Sequence, residues 1–303
     1  MIYTVTFNPS LDYYVKLNEV NFSDVNRTFG EFITVGGKGI NVSLALKEFG
    51  ETSVALGFAG GFTGDAIRRI LRDAKIKNDF IKVDGQSRIN VKIKCDGETD
   101  FNGTGATVNY RHVDKLVKKL NGCLCENDWL IISGSVPTSL DEKVYAYVLE
   151  RIEKLDKVHL VVDACGDLLL NTLRFKPFLI KPNVAELREL FNLKYTPDTE
   201  GIASYARKLQ DMGARNVIIS LGSTGAIMVT ETAQSLFIRA VSGELKNSVG
   251  AGDSMVAGFI YEYIKTGNYF KSLNFATACG SACAFSELLP TREDVEKIES
   301  LML

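Results

Sequence analysis

The sequence predicts a three-layer α/β/α fold, a parallel sheet between two helical layers, with a small separate β-sheet as a lid. Three observations carry this. Short apolar runs at 130–132, 160–162, 178–180 and 217–219 are uninterrupted by polar residues, as strands buried on both faces must be. Between them Val144, Val148, Ile152 and Leu155 recur at helical spacing, and so do Ile202, Ala206, Leu209 and Met212. Strand and helix in alternation give a parallel sheet covered on both sides. The third observation breaks that pattern. Arg88-Ile89-Asn90-Val91-Lys92-Ile93-Lys94-Cys95 alternates apolar and polar residues, the pattern of a strand with one wet face. The segment 13–35 is also strand-like, with Val15, Leu17 and Val20 early and Phe29, Ile33 and Val35 late. The expected division is a core of 1–12, 36–84 and 105–303 and a lid of 13–35 and 85–104. Period two puts Arg88, Asn90, Lys92 and Lys94 on one lid face, over the cleft. The opposite apolar face then needs cover, and a second copy of the chain would supply it, giving a homodimer. An edge hairpin on the main sheet is the alternative.

Composition narrows the function classes. The 303 residues exceed the usual limit of one simple core, and 46% apolar with 24% charged residues is ordinary for a globular chain. A net charge of −2 leaves no basic footprint, so no nucleic-acid partner is expected. The opening Met1-Ile2-Tyr3-Thr4-Val5-Thr6-Phe7 has no basic region ahead of an apolar stretch, and no apolar run reaches membrane-spanning length. The expectation is a cytoplasmic protein without a membrane partner. Six cysteines in so large a chain are expected as reduced thiols, and neither His112 nor His159 belongs to a metal-spaced motif.

The candidate chemistry follows the chain. Asn8-Pro9-Ser10-Leu11-Asp12 succeeds the first strand and leaves Asp12 at its carboxyl end, though the same residues also make a turn. Gly36-Gly37-Lys38-Gly39-Ile40-Asn41-Val42-Ser43 opens a helix that Gly50 can close, and its glycines let backbone approach a ligand. In parallel sheets ligands bind at the carboxyl ends of strands, here Ser133-Gly134-Ser135, Asp163, Lys181-Pro182-Asn183 and Ser220-Leu221-Gly222. The most informative run is Asn247-Ser248-Val249-Gly250-Ala251-Gly252-Asp253-Ser254 ahead of an apolar helix. Free amides and a helix dipole attract an anion, and a carboxylate beside a phosphate pocket suits a hydroxyl's proton better than the phosphate itself. That combination points to a kinase. Neither glycine cluster completes a Walker loop or G-x-G-x-x-G.

Taken together, these motifs resemble the ribokinase-like carbohydrate kinases, the PfkB family, nearly end to end. The run at 36–43 is similar to the family's N-terminal signature and 247–259 to its C-terminal one. The Asn8 to Asp12 opening and Ser87-Arg88-Ile89-Asn90 are similar to its phosphosugar branch. Gly243-Glu244-Leu245-Lys246 and Ser254-Met255-Val256-Ala257-Gly258 most resemble the members that act on fructose 1-phosphate. The resemblance implies ATP-dependent phosphorylation of D-fructose 1-phosphate at its 6-hydroxyl, with Mg2+. Tagatose 6-phosphate and fructose 6-phosphate are alternative substrates, and a non-catalytic sugar-phosphate sensor is the alternative of another class. It further implies Asp253 as base and Gly250, Ala251 and Gly252 as anion hole. Asp12, Gly37, Lys38 and Asn41 would take sugar hydroxyls, and Arg88, Asn90, Arg27 and Ser135 the phosphate already on the sugar. Lys181, Asn183, Ser220, Gly222, Gly225, Ser248, Ala278 and Ser281 would border the nucleotide, with Asn183 and Glu186 organising the metal.

Overall fold

A computed structural model describes residues 1–95, 97–247 and 249–302. The larger sheet runs in space Ser235–Arg239, Gly225–Val229, Asn216–Ser220, Leu179–Ile180, His159–Asp163, Trp129–Ser133, Ile2–Thr6, Ser53–Gly60 and Lys77–Asn78, with Ile81–Val83 also beside Ser53–Gly60. From Asn216–Ser220 onward every pairing is parallel. Three of the four apolar runs read from sequence fall wholly in these strands, and of the run 178–180 the strand takes Leu179 and Ile180, with Phe178 just ahead of it.

At one edge the sheet turns antiparallel, which the alternation did not anticipate. Only Leu221 to Thr224 separate Ser220 from Gly225, and so short a link cannot carry the crossover that a parallel neighbour needs. Gly225 takes φ of +122°, and a Cβ there would sit 1.9 Å from the Ile238 carbonyl, so this edge turn admits only glycine.

Alternate residues of each strand face opposite layers. Val5, Ile132 and Val162 pack with Val113, Leu116, Val148 and Leu209 of the helices Tyr110–Cys123, Val144–Leu149 and Thr199–Asp211. Ile131, Val161 and Phe178 pack with Val42, Leu46, Phe259 and Leu273 of Lys38–Glu48, Ala251–Thr266 and Tyr269–Ala284. Each fully buried Leu or Ile contributes about 1.5–3 kcal/mol.

The helix through Val144 is shorter than its stripe: it ends at Leu149, Ile152 lies in the irregular link that follows, and Leu155 opens a short 3-10 helix, Leu155–Lys157. Asn121 explains the stop, because its side chain donates to the Arg151 carbonyl and accepts from the Glu153 N–H, replacing helical bonds. Met212, at the end of its own stripe, is the C-cap residue and exposed.

The smaller sheet has the order Gly30–Gly36, Ser10–Lys16, Arg88–Lys94, Glu98–Asn102. Here the reading of Asp12 is corrected. The first strand ends at Thr6, and Asp12 lies inside the lid strand Ser10–Lys16, in register with Thr34 and Asn90.

Candidate active site

The carboxyl ends of the central strands, the glycine-led starts of two helices and the inner face of the small sheet enclose a cleft of roughly 940 Å³. Gly250 adopts φ of +85° as N-cap of Ala251–Thr266. The first amides of the helix have no intrahelical acceptor, and Gly250, Ala251 and Gly252, which carry them, line the cleft. Asp253 follows in the first turn and is 5% exposed. Asn41, one turn into Lys38–Glu48, donates from Nδ2 to Asp253 Oδ2 at 2.7 Å, which fixes the carboxylate. Burial first, and then Asp163, push the Asp253 pKa up to about 6, against the pull of Lys38, Asn41 and Lys181.

Period two governs the lid side. Thr34, Asp12, Asn90 and Asn102 form one row across the four strands, and Phe32, Tyr14, Lys92 and Asp100 form the next. Asp12 Oδ1 accepts from Ser10 Oγ at 2.6 Å and from Asn90 Nδ2 at 2.8 Å. Arg88 donates from Nε to the Asn8 carbonyl at 3.0 Å. Burial lowers the pKa of its guanidinium and Asp12 offsets part of that effect, so a poorly solvated cation faces the cleft.

On the far side, Asn183 and Glu186 form a reciprocal cap on Val184–Leu190. Asn183 Oδ1 accepts from the Glu186 N–H at 2.8 Å, and Glu186 Oε2 accepts from the Asn183 N–H at 2.9 Å. The other Glu186 oxygen accepts from the Cys165 thiol at 2.9 Å. Both residues line the cleft with Lys181, Ser220, Gly222, Gly225 and Ser281.

Of the residues predicted from sequence, the cleft therefore unites Asp12, Gly37, Lys38, Asn41, Arg88, Asn90, Lys181, Asn183, Glu186, Ser220, Gly222, Gly225, Gly250, Ala251, Gly252, Asp253 and Ser281. Three lie apart from its lining: Arg27 is exposed in the loop between lid strands, Ser135 is exposed beyond Trp129–Ser133, and Ala278 is fully buried. Ser248 falls outside the described residues. Sequence reasoning missed Ser10, Asp100 and Asn102, and it did not assign Lys92 a role. Extending the two-residue period back from Asp12 and across the hairpin finds them. It also missed an apolar wall of Val241, Leu245, Met255 and Phe285, for which no local signal exists.

The matches to known proteins agree with this geometry. Residues 8–289 match the family model described as pfkB family carbohydrate kinase. A 1-phosphofructokinase of Borreliella burgdorferi is 40% identical over 98% of this chain and 96% of its own. A D-tagatose-1-phosphate kinase of Bacillus licheniformis is 36% identical over 99% and 96%. Among solved structures, phosphofructokinase-2 of Escherichia coli in complex with substrates and products superposes with a TM-score of 0.92 at 26% identity, covering 99% of both chains.

Proposed function

The chain belongs to the pfkB family of carbohydrate kinases, and on that premise we propose that it transfers the γ-phosphoryl group of ATP to the 6-hydroxyl of D-fructose 1-phosphate, giving fructose 1,6-bisphosphate. The observation that carries this is the buried Asp253 carboxylate at an amide-lined helix start, facing a lid that presents Arg88, Asn90 and Lys92. Asp253 takes the proton of the attacking hydroxyl, while the amides of Gly250, Ala251 and Gly252 hold the equatorial oxygens of the phosphoryl group. Asp12 and Asn41 orient the sugar through its hydroxyls. Arg88 grips the resident phosphate, since its fork bonds two oxygens at once. Both curated relatives named above act, by their names, on ketose 1-phosphates, which favours carbon 1 as the site of that phosphate.

Magnesium enters with the nucleotide. Among the described residues no group of three His, Cys, Asp or Glu side chains makes a metal cage. Glu186 with Asn183 is the fitting donor set for an ion that keeps its waters and leans on substrate phosphates. Bound there, it would neutralise phosphate charge. The free thiols fit a reducing, cytoplasmic setting, and no helix among the described residues is long and apolar enough to cross a membrane.

A coupled ADP-release assay across fructose 1-phosphate, tagatose 1-phosphate, tagatose 6-phosphate, fructose 6-phosphate and ribose tests the reading. The highest kcat/KM is expected for fructose 1-phosphate. A preference for either 6-phosphate would overturn the placement of the resident phosphate, and tight binding of a sugar phosphate without turnover would make the protein a sensor.

A further inference from the structure

Asp163 ends the strand His159–Asp163 at the floor of the cleft and is 2% exposed. Its Oδ1 accepts from Lys38 Nζ at 3.0 Å, and its Oδ2 lies 3.6 Å from Lys181 Nζ, an ion pair without a hydrogen bond. Ser133, in register on the neighbouring strand, gives it no hydroxyl bond. Among the described residues its side-chain partners are these two lysines alone. They come from opposite walls: Lys38 from the sugar-side glycine loop, Lys181 from the nucleotide-side loop. Lys181 reaches so far in that a Cβ on Gly252 would sit 2.8 Å from its ammonium, which places that charge against the anion hole.

We propose that Asp163 is a positioning residue for phosphoryl transfer, tethering Lys38 and Lys181 so that both ammonium groups converge on the group in flight and neither closes on Asp253. This rests on the kinase reading above. A buried ion pair is poor evidence of stabilisation, because an apolar residue of similar volume serves stability as well. At the carboxyl edge of a parallel sheet, under the anion pocket, the cluster is placed for function instead. Without Asp163 both ammonium groups would be free to turn to the other carboxylates of the cleft, Asp253 among them, and an ion-paired base accepts a proton poorly. With it, two lysines with many rotamers are held near the phosphate before ATP arrives. The unequal grip suits the task. Lys38 is hydrogen-bonded and fixed, whereas Lys181 is held by charge alone and can follow the moving phosphoryl oxygens.

The test begins with wild-type turnover of fructose 1-phosphate. Its absence would overturn the activity and this inference together, whereas its presence lets the inference fail alone. Asp163→Asn is expected to keep the circular dichroism spectrum and to lose roughly 10²-fold in kcat. In a Lys38→Met, Lys181→Met background the same substitution should cost less than about threefold, since its effect runs through those side chains. A folded Asp163→Asn with wild-type kcat, or a loss that persists in full without the lysines, overturns the proposal. Should the variant fail to fold, a crystal structure of the wild type with ADP, aluminium fluoride, Mg2+ and fructose 1-phosphate decides. Both ammonium groups must reach the fluoride while paired with Asp163, and either one turned away refutes the tether.

Discussion

Burial supplies the basicity that the proposed role of Asp253 requires. A carboxylate in water is a weak base, but desolvation and the nearby Asp163 bring this one up to about 6, close to a working pH. In the proposed role as base the acting form is the anion, so activity is expected above that pKa and is lost below it. The acid limb of kcat/KM, which reports the free enzyme, should therefore bend near pH 6 and fall about tenfold per unit below it. Asp253→Asn keeps the shape and removes the base, so kcat should fall by at least about 10²-fold while ATP binding, followed by calorimetry, persists. A limb near pH 4, or near-normal turnover in the variant, would take proton transfer away from this residue. Asp253 was legible in sequence because its evidence is local: glycines, a carboxylate and an apolar helix within a dozen residues. The role of Asp163 was not, because it depends on Lys38, 125 residues away along the chain.

At the scale of elements, alternation was the most legible signal wherever one face of a strand is wet. It placed Arg88 and Asn90 on the cleft side of the lid, where both line the site. It missed the start of the strand at Ser10, because a Pro9 turn looks the same whether it ends one strand or begins the next. The early end of the helix Val144–Leu149 was equally hidden, since the side chain that stops it belongs to another helix. The lid's part in recognition can be separated from the core's. Arg88 sits with Asp12 and Asn8, away from the Glu186 wall, so Arg88→Ala should raise the KM for sugar phosphate by about 10-fold or more. The KM for ATP should hardly move in the same steady-state titrations. Equal rises in both would mean that the substitution loosens the whole lid.

At the scale of the whole molecule, the outer face of the lid is a surface that its own packing leaves uncovered. The outer row of the lid reads Ile33, Tyr13, Val91 and Phe101 across its four strands, back to back with the row holding Asp12 and Asn90. Ile33 is 59% and Phe101 58% exposed, and Ile89, Phe29, Val25 and Phe22 are exposed with them. Isolated exposed apolar residues are ordinary, but a row of apolar and aromatic residues across all four strands of a thin sheet has the character of an interface. Its period-two match to the cleft row makes covering the stripe and shaping the sugar site two faces of one object. If two copies pair through this stripe, like-charge repulsion across the seam should separate them, so Ile33→Asp with Phe101→Asp is expected to sediment more slowly than the wild type in sedimentation velocity. Because the same strands carry Asp12 and Asn90, the monomer should also show a raised KM for sugar phosphate with ATP binding intact. A variant that sediments as the wild type does would place the contact elsewhere. A monomer with unchanged sugar KM would show that the lid holds its register without a partner, and that assembly and recognition are independent.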